Sequence, residues 1–85
     1  MNKIQWTAKA ARQLRKIKDA ALQQRIYLET QTLQGFPDCT GVKRLSHHEH
    51  SYRLRVGDWR VFFEFDGGLK VVSIEEVKKR NERTY

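Results

Sequence analysis

Three arginines near the middle of the chain are spaced so that one anion could contact them all. Arg53 and Arg55 are separated by one residue, and side chains at that spacing point to the same face of a β-strand. Arg60 follows Gly57-Asp58, a pair typical of a tight turn, which would return the chain beside the first two arginines. Guanidinium groups stay charged and match phosphate oxygens in geometry. The spacing therefore predicts a phosphate-binding face, although the solvated side of an edge strand would show the same alternation.

Basic residues elsewhere could extend this face. The C-terminal segment follows the last predicted strand and ends in Tyr85, whose ring could stack on a base or whose hydroxyl could donate a hydrogen bond. A second basic pair precedes the arginine strand. Besides the three arginines, the residues expected to bind nucleic acid are Lys43, Arg44, Lys78, Lys79, Arg80 and Arg83.

Other reactive side chains receive simpler interpretations. His47, His48 and His50 lie in a polar segment without Cys, Asp or a further His at ligand spacing, so a solvated loop is expected rather than a metal site. Cys39 lacks a nucleophile motif and is interpreted as structural. No motif predicts a cofactor. Three carboxylates are interpreted as surface or salt-bridge residues, with proton transfer as an alternative on general chemistry: Glu64, Glu75 and Glu76.

Hydrophobic periodicity predicts the elements that position these residues. Residues 3–7 alternate as in a strand, and Thr7 is a suitable N-cap for a first helix. Asp19 is a suitable N-cap for a second helix over residues 20–34, which Gly35 ends. The apolar stripe of the first helix consists of Ala8, Ala11, Leu14 and Ile17.

The second half of the chain has the period of strands. Residues 52–56, 59–65 and 69–74 are predicted strands, and Asp66-Gly67-Gly68 is a strong hairpin signal. The expected fold is α+β with the order β-α-α-β-β-β. A twisted, mostly antiparallel four-stranded sheet would carry a helical hairpin on one face, as a single domain over residues 1–85.

The charge balance limits the classes of partner. Seventeen Lys and Arg against ten Asp and Glu give a net charge of +7 and a pI near 9.9. Such a balance favours a polyanion, with nucleic acid as the commonest; an acidic protein or an anionic membrane is the alternative. A single cysteine excludes an intrachain disulfide, and no apolar run is long enough for a membrane span. With no apolar secretion signal at the N-terminus, a cytoplasmic protein is expected.

Residues 52–64, YRLRVGDWRVFFE, resemble the YRLRVGDYRVIYE core of RelE/ParE toxins. The sequence LQGFPDC at residues 33–39, the Lys79-Arg80 pair and the terminal tyrosine resemble the same family, as does the predicted order of elements. The resemblance implies the toxin of a type II toxin–antitoxin system. In the RelE branch such toxins cleave mRNA in the ribosomal A site, by attack of a 2′-hydroxyl on the adjacent phosphate.

The resemblance also implies roles for individual residues. The catalytic set carried over is Arg53, Arg55, Arg60, Arg80 and Tyr85, with Arg83 as the alternative to Arg80. The RelE branch has lysines where this chain has Arg53 and Arg55, and arginine does not serve as a base. These two residues are therefore expected to anchor phosphate. The base is left open among Tyr85, a tail lysine such as Lys79, and a less obvious group.

Two other functions remain open on the sequence. A ParE-like inhibitor of DNA gyrase shares the fold, and a catalytically inactive homologue that serves as a basic nucleic-acid-binding module would share the charge. The arginine cluster together with a C-terminal tyrosine favours the nuclease. The resemblance further implies a cognate antitoxin, expected to be acidic because the toxin is basic.

Overall fold

Five strands and two α-helices make up the part of the chain that the structure, a computed structural model, describes: residues 1–80. Along the chain they are β1 (Lys3–Trp6), α1 (Ala8–Arg15), α2 (Ala20–Gln31), a 3-10 turn (Thr32–Gly35), β2 (Val42–Arg44), β3 (Tyr52–Val56), β4 (Trp59–Asp66) and β5 (Val71–Lys79). None of the helices within these residues is long and apolar enough to cross a membrane.

The strands form one sheet in the order β1-β5-β4-β3-β2. β1 is parallel to β5, and every other pairing is antiparallel. The predicted α+β class and helical hairpin are confirmed, whereas the predicted count of four strands is wrong. The additional strand, β2, spans three residues and pairs with β3. Three residues are too few to show the alternation of apolar and polar side chains that predicts a strand. The conformation of this segment depends instead on pairing with the edge of β3.

Side chains cap both helices as the sequence predicts. The hydroxyl of Thr7 accepts a hydrogen bond from the Ala10 N–H at 3.1 Å, and the carboxylate of Asp19 accepts one from the Leu22 N–H at 3.1 Å. The C-terminal ends were predicted less well. α1 ends at Arg15, before Ile17, and the last predicted turn of α2 is a 3-10 turn, in keeping with the tendency of helix ends to tighten.

The core lies between the helices and one face of the sheet. Phe63, Leu54 and Ile74 of the sheet and Ile26 of α2 are each at most 1 % exposed. Phe36 packs edge-on against Phe63 at a centroid distance of 5.4 Å and closes one end of the core. Within residues 1–80 no α-helix packs on the other face of the sheet, which is called the open face below.

Two features of β5 shape the open face. A bulge follows Phe62, which pairs with Glu76, whereas Phe63 pairs with Ile74. Beyond the end of β1, the side chain of Gln13 on α1 accepts a hydrogen bond from the Val77 N–H at 2.6 Å. The helix thus provides an acceptor for one N–H on the edge of β5, and it lies close enough for Lys9 to reach Glu76 around that edge.

Candidate functional site

Two of the predicted arginines lie side by side on the open face. Arg55 on β3 pairs with Arg60 on β4, and Lys78 on β5 continues this row across the sheet. Neighbouring strands are about 4.8 Å apart, so three cationic side chains share a narrow area. Arg60 is only 6 % exposed, and its guanidinium donates to the carbonyl oxygens of Gly57 and Trp59 at 3.4 and 3.2 Å. Arg55 is exposed.

A second row crosses the same face two residues further along the strands. Lys43 on β2 pairs with Arg53, Arg53 pairs with Phe62, and Phe62 pairs with Glu76. Arg53 is half-buried, and its Nε is buried without a hydrogen-bond partner among residues 1–80. A buried donor of this kind is costly unless a ligand or another group accepts from it. The two rows together form what we call the basic face: Lys43, Arg53, Arg55, Arg60 and Lys78.

The C-terminal end of β5 lies beside the turn between β3 and β4. The Arg80 N–H donates to the Asp58 carbonyl oxygen at 2.7 Å, which brings the backbone of Arg80 next to the Arg55–Arg60 row. The Arg80 side chain is exposed. Arg83 and Tyr85 fall outside the described residues.

The register separates two residues that the sequence had grouped with this face. Arg44 pairs with Tyr52, and Lys79 pairs with Trp59. Tyr52 and Trp59 pack against the hydrophobic core, so Arg44 and Lys79 belong to the helix-covered side of the sheet. The register thus separates them from Arg53, Arg55 and Arg60, and RNA binding by Arg44 and Lys79 stays a prediction. A run of adjacent basic residues in a strand divides between two faces, because side chains alternate.

The histidine segment also differs from the sequence prediction. His47 and His48 are exposed, but only 11 % of the His50 side chain is accessible. The segment is closed by a hydrogen bond of 2.8 Å from the Leu45 N–H to the Ser51 carbonyl oxygen. It folds onto the open face, where the rings of His48 and His50 pack on Phe62 with centroid distances of 4.9 and 5.7 Å. The prediction of a wholly solvated histidine loop is wrong for His50.

Glu76 is the centre of an ion-pair network on the open face. It is 5 % exposed, and its carboxylate lies 3.1 Å from His50 Nε2, 3.1 Å from Lys9 Nζ and 3.3 Å from Lys78 Nζ. Burial by itself would raise the pKa of Glu76. Hydrogen bonds from Lys9, Lys78 and His50, together with the charge of Lys78, outweigh that effect and hold the pKa below its usual value.

The other two carboxylates considered in the sequence have separate partners. Glu64 accepts a hydrogen bond from the Ser51 N–H at 2.8 Å and holds the base of the histidine segment. Glu75, at the bulge, accepts one from the hydroxyl of Ser73. Sequence reasoning missed the role of Glu76 because two of its three partners are distant in the chain: Lys9 on α1, and His50 in a loop 26 residues away. A possible signal was its position between Ile74 and Val77, within a strand of buried side chains.

Potential metal ligands also meet here. One ligand atom from each of Glu49, His50 and Glu76 lies within 4.8 Å of the others. The second oxygen of Glu76, however, already contacts the ammonium groups of Lys9 and Lys78. Two fixed cations beside the carboxylate oppose a further cation, so we describe the cluster as a network of ion pairs.

Two remaining features are separate from this chemistry. Burial, and then the charge of Asp38, raise the pKa of the Cys39 thiol, which disfavours the thiolate that a nucleophile requires. A surface depression of about 380 Å³ lies on α2 between Ala21, Leu28 and Thr32, on the helix side of the sheet. Neither belongs to the basic face.

Solved structures with this fold are found among the RelE toxins. The RelE–RelB complex of Pyrococcus horikoshii OT3 contains a chain that is 22% identical, with a TM-score of 0.77, covering 95% of this chain and 97% of that one. A chain of the RelBE2 complex of Mycobacterium tuberculosis is 20% identical, with a TM-score of 0.77, covering 93% of this chain and 98% of that one. The isolated Escherichia coli RelE toxin is 13% identical, with a TM-score of 0.78, covering 96% of this chain and 87% of that one.

The sequence comparisons define the family. A search of curated proteins gave no match. The family model described as the ParE toxin of the type II toxin–antitoxin system parDE matches residues 4–84, which is nearly the whole chain. The chain therefore belongs to the ParE toxin family and is a toxin of the RelE/ParE superfamily of type II toxin–antitoxin systems.

Proposed function

We propose that this toxin is an endoribonuclease that binds mRNA on its basic face and cleaves it on the ribosome. One observation carries the proposal: the strand register puts five cationic side chains from four strands on the open face of the sheet. A charged face without a covering helix can approach the backbone of a nucleic acid, and fixed cations bind phosphate through charge and directed hydrogen bonds.

The proposed reaction follows from what these cations can do. The 2′-hydroxyl of the RNA attacks the adjacent phosphorus in line, which leaves a cyclic phosphate and a free 5′-hydroxyl. Negative charge on the phosphate oxygens grows toward the transition state, and Arg53 and Arg55 stabilise it. Arg60, buried beside Arg55, adds to the positive potential. Arg80 and Tyr85 keep the roles that the family resemblance implies.

Dependence on the ribosome is consistent with a site on a sheet face that no α-helix covers within residues 1–80. On such a face the ribosome would supply the orientation of the message. The likeness in fold to the RelE toxins supports the same proposal. Because translating ribosomes are the proposed target, we place the toxin in the cytoplasm.

An antitoxin is the proposed protein partner. The RelE chains of Pyrococcus horikoshii, Mycobacterium tuberculosis and Methanococcus jannaschii were solved in complexes with their antitoxins. For a toxin with a net charge of +7, we propose an acidic antitoxin segment that reaches the basic face.

Inhibition of DNA gyrase is the second candidate function. The observation that favours it is the family match itself, which is to the ParE toxin. In that case the basic face would bind the antitoxin or DNA without chemistry at phosphorus.

A paired assay separates the two candidates. The purified toxin is incubated with naked mRNA, with ribosomes carrying the same mRNA, and with gyrase in a supercoiling reaction, and the RNA 3′ ends are mapped. We expect cuts within A-site codons when ribosomes are present. Arg55→Gln should lower this cleavage, whereas Arg15→Gln, an exposed arginine on α1, should not. Loss of supercoiling without RNA cleavage would establish the gyrase alternative instead.

A further inference from the structure

We propose that His50 is the proton-transfer group of RNA cleavage and that Glu76 positions its imidazole ring. This inference rests on the proposed ribonuclease function and supplies the group that arginines cannot provide. Its basis is the geometry of the histidine segment on the open face.

The His50 ring is held from several directions. Nε2 lies 3.1 Å from a Glu76 oxygen and 3.2 Å from a Glu49 oxygen. Nδ1 lies 3.6 Å from a Glu64 oxygen, beyond ordinary hydrogen-bond distance. The ring packs on Phe62, which is the cross-strand neighbour of Arg53. The imidazole is therefore held on the open face over Phe62, one strand away from Arg53, a proposed phosphate anchor.

The surrounding acceptors determine the tautomer of the neutral ring. Ionised carboxylates only accept hydrogen bonds, and the two nearest ones face Nε2. The hydrogen of the neutral imidazole therefore resides on Nε2, where it is donated to Glu76, and the lone pair resides on Nδ1. Glu76 is itself held by Lys9 and Lys78, so that the ring is oriented by a carboxylate that is in turn fixed.

The chemical step balances with this ring as the base. Nδ1 of His50 takes the proton of the attacking 2′-hydroxyl as the bond between that oxygen and phosphorus forms. The bond from phosphorus to the 5′-oxygen breaks, and the 5′-oxygen takes a proton from water or from the imidazolium. His50 returns to its neutral form when the acquired proton has left. No metal, oxidant or other co-reactant enters the step.

The first test replaces the histidine in the full-length toxin. His50→Gln should lower the single-turnover cleavage rate on ribosomes by about 10²–10⁴-fold. Binding to an oligonucleotide with a 2′-deoxy residue at the cleavage position should be unchanged. His47→Asn is the matched control, since His47 is exposed in the same segment and has a positive φ of 55° that Asn tolerates. Cleavage by His50→Ala should be restored, in a concentration-dependent manner, by added imidazole.

The second test addresses the positioning role of Glu76. In Glu76→Gln the new amide can donate to Nε2, which would move the ring hydrogen to Nδ1 and leave no base there. A rate loss of about tenfold or more is expected. The pH dependence supplies the specific readout, because a protonated ring cannot accept the proton and the wild-type rate should fall on the acid side. This decrease in rate at acidic pH should be absent in His50→Gln and altered in Glu76→Gln. The charged groups facing the ring that could also contribute are Glu49, Glu64, Glu76, Lys9 and Lys78.

Each outcome decides between the proposals. If wild-type toxin cleaves but His50→Gln keeps its rate and pH profile, the assignment of His50 is wrong and the ribonuclease function stands. If a chelator that is removed before ribosomes are added abolishes cleavage by the wild type, and a divalent cation restores it to the wild type but His50→Gln binds no such cation, His50 acts as a metal ligand and the assignment of proton transfer to its ring is wrong. If wild-type toxin cleaves no RNA, both proposals fall together.

Discussion

Arg55 and Arg60 lie directly opposite each other on β3 and β4, and both guanidinium groups donate to the carbonyl oxygen of Gly57. Like charges directly opposite on neighbouring strands are destabilising. A shared carbonyl oxygen offsets only part of that repulsion, since the hydrogen bonds are long, at 3.5 and 3.4 Å. An anion bound across the pair would offset more of it, and several measurable properties follow.

Anion binding should stabilise the folded toxin. Pyrophosphate at low millimolar concentration should raise the Tm of the wild type, because a ligand that binds the folded state more tightly than the unfolded chain stabilises the fold. Each kcal/mol corresponds to about 4–8 °C in a domain of this size. Arg55→Gln should lose most of this rise, while Arg15→Gln should keep it. Differential scanning fluorimetry at constant ionic strength measures both. An equal rise in all three proteins would argue against an anion site at this pair.

Adjacent residues of β2 should differ in their effect on RNA binding. Lys43→Gln removes a charge from the basic face, whereas Arg44→Gln removes one from the helix-covered side. Lys43→Gln should weaken binding of a non-cleavable RNA and reduce its salt dependence, by about 0.7 in the slope of log K against log salt for one lost phosphate contact. Fluorescence anisotropy across a salt series provides the slope, and identical slopes for the two variants would contradict the proposal that RNA binds on the basic face.

Glu76 should make stability depend on pH in the acid range. Its pKa in the folded protein is lowered, so its stabilising contribution is complete above the unfolded pKa and is lost as pH falls through the folded one. Stability of the wild type should therefore decline below about pH 4.3, the ordinary value of glutamate. In Glu76→Gln this contribution should be absent, at a cost of about 1–3 kcal/mol near neutral pH. Urea unfolding between about pH 3 and pH 7 tests both points; Glu29→Gln, an exposed residue of α2, is the control.

The turn between β3 and β4 should require glycine. Gly57 has a φ of +58°, and an added methyl group would also lie 3.5 Å from Arg25 Nη1. Gly57→Ala should cost about 1–2 kcal/mol, because the left-handed conformation is unfavourable for alanine. It should also lower cleavage, since the Gly57 carbonyl oxygen orients both arginines. Gly35→Ala is the matched control: its added methyl group would meet no atom within 4 Å, and the change in stability should stay below about 1 kcal/mol. Equal effects of the two substitutions in thermal unfolding would show that the conformation of Gly57 is unimportant.

Much of this toxin is determined by short-range patterns in the sequence. Alternation in residues 52–65 specifies both strands around Gly57 and places Arg53, Arg55 and Arg60 on one face, because the side-chain period of a strand is two. Thr7 and Asp19 specify the beginnings of both helices through local capping hydrogen bonds. The family resemblance depends on the same local segment. Each of these inferences needs only residues that are close together in the chain.

The tertiary structure alone decided which distant groups meet. β2 exists because β3 has an edge to pair with, and that pairing separates Lys43 from Arg44. Glu76 acquires its partners when α1 packs along β5 and the histidine segment folds over Phe62, which joins Lys9, His50 and Lys78 around one carboxylate. Hydrophobic periodicity in the sequence does not predict such contacts, because burial and long-range pairing depend on how the helices and strands pack. The arginine face was thus determined by the sequence, and the His50–Glu76 pair by the fold.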